Sequence, residues 1–378
     1  MLLARLAGQM VSLVIVLLAL QRFNSAAIAG TATFLDVTPG LFAAPLAGAL
    51  LDRHGRARLA VIDYVIAGTC LAVIAILATT DALNVPLFFL IVAISGTTRP
   101  LSNTGVRTLF PLIVPRELWE RANAIDSNGY VVASIFGPAL AGGIVALFGP
   151  SAALFVIALI FAAAAVAASG LRDPGGRAGT GHLVRDAWDG LVYVTRNVTL
   201  RTLALAVSTS NISSGLFFIA VPVLVLQRFG GGPEYVGLLF ALMGVAGFVS
   251  VLLVGRVPSR GREPLFLTAA MLGASASFVV ILLGAASPPV VALGMVCVGI
   301  ATGPFDVGLF TLRQRRTDPA WMGRAFAVSM GLNFAGFPIG SALGGAIVSY
   351  SIETALAIAI VVNLLAAAMC FWWLPRED

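Results

Sequence analysis

Apolar runs of about 17–25 residues recur along the whole chain, and this feature rules out most folds. A run of that length crosses the hydrocarbon of a bilayer. There, backbone polar groups must find their partners within the protein, and helices do this inside one segment. Composition agrees: 59% of residues are hydrophobic and 11% charged, about half the charge of an ordinary soluble domain. The expected fold class is an all-α, polytopic membrane protein.

Hydropathy and loop punctuation predict twelve spans. The first six are Leu2–Leu20, Ala26–Leu51, Leu59–Thr79, Asn84–Thr108, Ala122–Phe148 and Ser151–Leu171. The second six are Thr202–Leu226, Tyr235–Val257, Pro264–Ala285, Pro288–Leu312, Met322–Ser349 and Ile352–Leu374. The halves repeat. Leu-Gln-Arg-Phe occurs at Leu20–Phe23 and Leu226–Phe229, an offset of 206 that Gly55-Arg56/Gly261-Arg262 and Arg107/Arg313 keep. The stretch Gly137–Val145 matches Gly340–Val348 at an offset of 203. Four matches in one order predict a duplicated architecture: two pseudo-symmetric six-helix halves, residues 1–171 and 202–378, joined by a polar segment, 172–201. Within that segment, breaker-rich Asp173–Gly181 precedes Leu183, Ala187, Leu191 and Val194 at helical spacing. This pattern describes an amphipathic helix at the membrane surface, or an extension of the seventh span. The first span starts almost at Met1, so the chain is read as possibly short at that end.

All 23 basic residues are Arg, and they set the topology. Arg53, Arg56 and Arg58, Arg256, Arg260 and Arg262, and Arg313, Arg315 and Arg316 follow even-numbered spans. The opposite side holds only Arg22 and Arg228. Both termini and the central segment are therefore expected in the cytoplasm, with the chain in the inner (plasma) membrane as a monomer. Because the charge is spread over short hairpins, nucleic-acid binding is not expected. Cys70, Cys297 and Cys370 lie far apart within apolar runs, so no metal or redox site is expected. With no Lys there is no nucleotide-binding loop, and no enzyme chemistry or cofactor is expected.

The Arg-rich hairpin between the second and third spans, with Gly48, Asp52, Arg53, Gly55 and Arg56 spaced G-x-x-x-D-R-x-G-R, resembles the corresponding loop of major facilitator superfamily transporters. The resemblance covers essentially the whole chain and is strongest to bacterial drug and metabolite exporters. It implies alternating access between two six-helix halves, with this loop helping to hold the outward-facing state. Gly137, Pro138, Gly142 and Gly143 of the fifth span resemble the G-P-x-x-G-G motif of the superfamily's antiporters; Ala141 and Ala133 depart from it. Small residues let helix backbones approach closely, and Pro138 offers a bend.

Charges inside the spans are functional candidates because burial there is costly. Arg99 lies about nine residues, some 13 Å, from the nearer end of the fourth span. Asp306 lies one residue from its repeat equivalent in the tenth, so the two are expected to face each other and to pair during transport. Asp36 is the deepest acid and the first choice for proton coupling. Asp63 and Asp126 are expected near the surface, paired with Arg residues. Ser208, Asn211 and Ser214 give the seventh span a polar face that can line a cavity or bond across helices. The resemblance, taken with these residues, implies a secondary transporter, coupled to protons, that expels a small lipophilic or neutral compound. An importer or facilitator, or a transporter-like receptor that moves nothing, are the alternatives.

Overall fold

The computed structural model describes residues 2–115, 118–171, 183–318 and 321–375. The breaker-rich stretch Asp173–Gly181 therefore lies outside the described residues, as do the side chains of Gly48, Asp52 and Asp126.

Among the described residues, every long element is an α-helix. The first five are α1 (Leu2–Phe23), α2 (Ala26–His54), α3 (Arg56–Thr79), α4 (Val85–Ile113) and α5 (Trp119–Ser169). Then come α6 (Leu183–Arg196), α7 (Val198–Val223), α8 (Pro233–Val254), α9 (Glu263–Leu283), α10 (Pro288–Arg315), α11 (Met322–Phe334), α12 (Gly336–Val348) and α13 (Ile352–Trp373). Eleven described stretches are long and apolar enough to cross a membrane. One of them, the 41-residue run Gly129–Ser169, is broken at Gly149. There φ is 81° and ψ 168°, a conformation open to glycine and hostile to other residues. Counted on both sides of that break, the described residues make twelve passes. The chain is a multi-pass membrane protein.

Three features depart from the sequence expectation. First, α4 runs on to Ile113, fourteen residues beyond Arg99. Second, the eleventh pass is two helices meeting at Ala335, whose N–H is shared by the carbonyls of Gly331 and Leu332. Third, α7 starts at Val198 and not at Thr202; α6 precedes it as a separate helix, one of the two arrangements the spacing allows. Asn197 makes that boundary: its backbone is extended, and its Oδ1 accepts from Leu200 N at 3.0 Å. The inner face of α6 packs through Val194 against Leu200 and Ala325, while Tyr193 stacks on Trp321 at 4.9 Å.

By packing, the chain divides into two compact units: Met1–Asn24 with Thr31–Val184, and Ser25–Gly30 with Arg185–Asp378. In the first, α1 and α3 pack on α5, and α3 on α4. In the second, α10 packs on α8 and α9, α7 on α12 and α13, and α9 on α13. Repeat-related arginines do the same work in each unit. Arg22, closing α1, donates to Ala78 O at 2.8 Å and pairs with Asp81 at 3.2 Å. Arg228, closing the π-helical turn Leu224–Arg228 after α7, pairs with Glu353 of α13.

Candidate functional site

In the N-terminal unit the site begins with two glycines. A Cβ on Gly96 of α4 would sit 2.3 Å from the carbonyl oxygen of Asp36, and one on Gly40 of α2 would sit 2.6 Å from the carbonyl of Gly96. Only hydrogen side chains permit so close an approach of α2 and α4. The approach brings Arg99 onto Asp36 in a bidentate pair: Nη1 donates to Oδ2 at 2.9 Å and Nη2 to Oδ1 at 2.6 Å. Asp36 is 2% exposed and the Arg99 side chain 30% exposed, so the pair is buried at the carboxylate and partly open at the guanidinium. Two parallel charge-assisted bonds of this geometry are among the strongest polar contacts a protein makes. Within its own unit, Arg99 is thus held by Asp36, a pairing that the repeat offset does not suggest. The offset relates equivalent positions and carries no information about contact.

Asp63 is a further member, concealed in the sequence by its nearness to the membrane surface. It is 3% exposed, lies beside Thr98 and Ser102 of α4, and feels the charge of Arg99. A signal for it was present. The α3–α4 hairpin turns around Asp81, eighteen residues after Asp63 and eighteen before Arg99, so antiparallel packing sets the two at one depth.

In the C-terminal unit, a cavity of about 310 Å³ opens among α7, α8, α9, α10, α12 and α13. Its walls include Phe217, Phe218, Phe240, Phe278, Phe305 and Phe337, with Met243 and Met271. Asp306 is its only ionisable wall residue and has no hydrogen-bond or ion-pair partner among the described residues. Asn211 and Ser214 line the same cavity, together with Ser210 and Asn363. Several of these polar groups also tie helices together. Asn211 donates to Asn333 O at 2.8 Å, Ser210 to Asn363 Oδ1 at 2.7 Å, and Asn363 to Met271 O at 2.8 Å. Ser208 is not a wall residue. It lies in the α7–α12 seam, where a Cβ on Gly336 would meet its carbonyl at 1.8 Å.

The motif residues are spread over packing surfaces. Gly55 has φ 94° and starts α3, leaving Arg56 in the first turn and Arg53 exposed. Gly105 of α4 lies against this hairpin, its Cβ position 2.8 Å from Leu51 and 3.1 Å from Arg56 O. Of the antiporter-like residues, Gly137 is pressed on α1, its Cβ position 2.7 Å from the Cβ of Gln9. Gly142 is buried, Pro138 lies inside α5, and Gly143 faces open space.

Known proteins share both the sequence pattern and the helical architecture. A family model described as Major Facilitator Superfamily matches residues 1–328 and, again, residues 203–378. An uncharacterized MFS-type transporter, y4rN, of Sinorhizobium fredii is 37% identical over 97% of this chain and 91% of its own length. The multidrug efflux pump Tap of Mycolicibacterium fortuitum is 26% identical over 95% of this chain and 90% of its own. Among solved structures, a point mutant of the nucleoside transporter NupG superposes with a TM-score of 0.81 at 13% identity, covering 99% of this chain and 98% of that one, a likeness of fold alone. The chain belongs to the Major Facilitator Superfamily of membrane transporters.

Proposed function

We propose that the protein is a proton-coupled exporter of small lipophilic compounds, working by alternating access in the plasma membrane with both termini and the Arg-rich hairpins in the cytoplasm. The observation that carries this is the cavity of the C-terminal unit: six phenylalanines around a single carboxyl, Asp306, unpartnered among the described residues. An apolar wall with few polar groups accepts a lipophilic guest and orients it weakly. Aromatic faces together with one carboxylate favour a guest that is neutral or carries a delocalised positive charge. The buried Asp36–Arg99 pair supplies charged groups within the spans on which a proton gradient can act. The multidrug efflux pump among the relatives supports the outward direction.

The test is purified protein in proteoliposomes, with internal pH followed while a panel of lipophilic drugs and metabolites is offered across an imposed pH gradient. Substrate-dependent proton movement that disappears in Asp306→Asn and in Asp36→Asn is expected. Transport of a compound with no accompanying proton movement would replace this function with facilitated diffusion. Unchanged transport and pH dependence in Asp306→Asn would remove that residue from the mechanism.

A further inference from the structure

Among the described residues, nothing donates a hydrogen bond to Asp63 Oδ1, although the residue is 3% exposed and well inside α3. The two hydroxyls beside it are shared with backbone carbonyls of α4. Thr98 Oγ1 donates to Ser95 O at 3.3 Å, and Ser102 Oγ donates to Arg99 O at 3.2 Å. Both also hydrogen-bond the Asp63 carboxyl, so Oδ1 is the oxygen left without a partner. The nearest cation, Arg99, has both terminal nitrogens on Asp36. An ionised carboxylate with one buried oxygen unpartnered and its nearest guanidinium committed to another acid is under-compensated, and a bound proton removes that charge.

Charge counting leads to the same place. Asp36, Asp63 and Arg99 sum to minus one if both acids are ionised, and to zero if one of them holds a proton. A net charge held within the hydrocarbon span is costly, and the neutral set avoids it. The count takes in Asp63, Asp36 and Arg99; other ionisable groups lie farther out. Tyr64 follows Asp63 on α3 and packs on Phe161 of α5; Arg5 of α1 reaches toward Tyr64 and lies over the Tyr130 ring at 5.8 Å. Arg121 and Asp126 of α5 have side chains outside the described residues.

We propose that Asp63 is a proton-binding site of the N-terminal unit, and that one proton and one guanidinium are shared between two carboxyls. Whichever acid holds Arg99 is ionised, and the other holds the proton. In the arrangement described, Arg99 is on Asp36 and the proton is on Asp63. When Arg99 moves to Asp63, the Asp63 O–H bond breaks, an O–H bond forms on Asp36, and the set stays neutral. This deepens the proton-coupled function proposed above and rests on it for its role in transport, though the proton site itself does not.

Two measurements separate those claims. Infrared difference spectroscopy of the protein in liposomes, at neutral pH, reads the carbonyl stretch of protonated carboxyls. A band present in the native protein, lost in Asp63→Asn and shifted in Asp63→Glu is expected. Absence of any band sensitive to residue 63 overturns the assignment, and so does its removal on adding sodium at constant pH, which would make the site a sodium site. The second measurement uses ethidium, a fluorescent lipophilic cation, accumulated under a pH gradient. Asp63→Asn should fall to passive leak, and Asp63→Glu should retain accumulation with a displaced pH profile. Native-like accumulation in Asp63→Asn overturns the role in coupling. If the native protein moves ethidium without protons yet shows the band, the exporter function falls and the proton site stands.

Discussion

Removing Arg99 and leaving Asp36 tests whether the pair fixes α2 to α4. Arg99→Met keeps a long stem and deletes the guanidinium, so both carboxylate oxygens of a residue 2% exposed lose donors now at 2.9 and 2.6 Å. Charges about 4 Å apart at an effective dielectric of about 20 attract by about 4 kcal/mol. Breaking a buried pair from one side costs about 3–5 kcal/mol, mostly because the survivor is left uncompensated. The Arg99 side chain is 30% exposed, so screening favours the lower end, about 3 kcal/mol. At about 2–4 °C per kcal/mol for a unit of this size, the unfolding midpoint in detergent should fall by about 6–12 °C. Asp36→Leu should cost less, because the stranded guanidinium can turn toward water. The double variant Asp36→Leu/Arg99→Met carries no charge and should recover most of the loss, the signature of coupling in a double-mutant cycle. If the double variant instead loses the sum of the two single effects, the reasoning from a stranded charge is refuted.

Three further outcomes follow from the packing. Gly96→Ala should destabilise by about 1–3 kcal/mol, because its Cβ meets the Asp36 carbonyl at 2.3 Å, whereas Gly143→Ala, facing open space, should stay within about 0.5 kcal/mol; thermal unfolding in one detergent compares them. Gly137→Ala should lower folded yield through its clash with the Gln9 Cβ at 2.7 Å, and adding Gln9→Gly should restore it, as gel-filtration profiles of the purified variants would show. Arg313 is fully buried with Nε unpartnered, its guanidinium over the rings of Phe310 and Phe326 at 5.8 and 4.9 Å and Nη1 on Met330 Sδ. With no acidic partner among the described residues, Arg313→Met should leave the unfolding midpoint unchanged or higher, and a marked fall would contradict this.

Features governed by local chemistry were legible in the sequence. Spans were visible because hydrocarbon demands about twenty apolar residues, and Gly149-Pro150 marked the turn inside α5. Asn197 ended α6 by capping α7, a signal the sequence carried that hydropathy alone overlooked. The Arg99 partner was not legible, because it depends on how closely two helices approach, and that is set by Gly40 and Gly96, which lie far apart in the chain. On α7, at about 100° per residue, Ser210, Asn211 and Ser214 share a face that Ser208 leaves. A list of polar residues became a cavity wall only when the helical rotation was followed.

The two ionisable centres differ in what they have room to hold. Asp63 is buried beside α4 hydroxyls, whereas Asp306 borders about 310 Å³. On the assignment proposed here, protons are handled in the N-terminal unit and the solute in the C-terminal unit. With proton and solute assigned to different carboxyls, exchange does not come from direct competition for one group. It must come from a conformational equilibrium that both ligands bias, each by its difference in affinity between the two states. Such coupling is reciprocal: the factor by which a bound solute weakens the proton equals the factor by which the proton weakens the solute. A carrier that lost its proton site would keep a solute site whose affinity no longer responds to protonation of Asp63, although no atom of that site had changed.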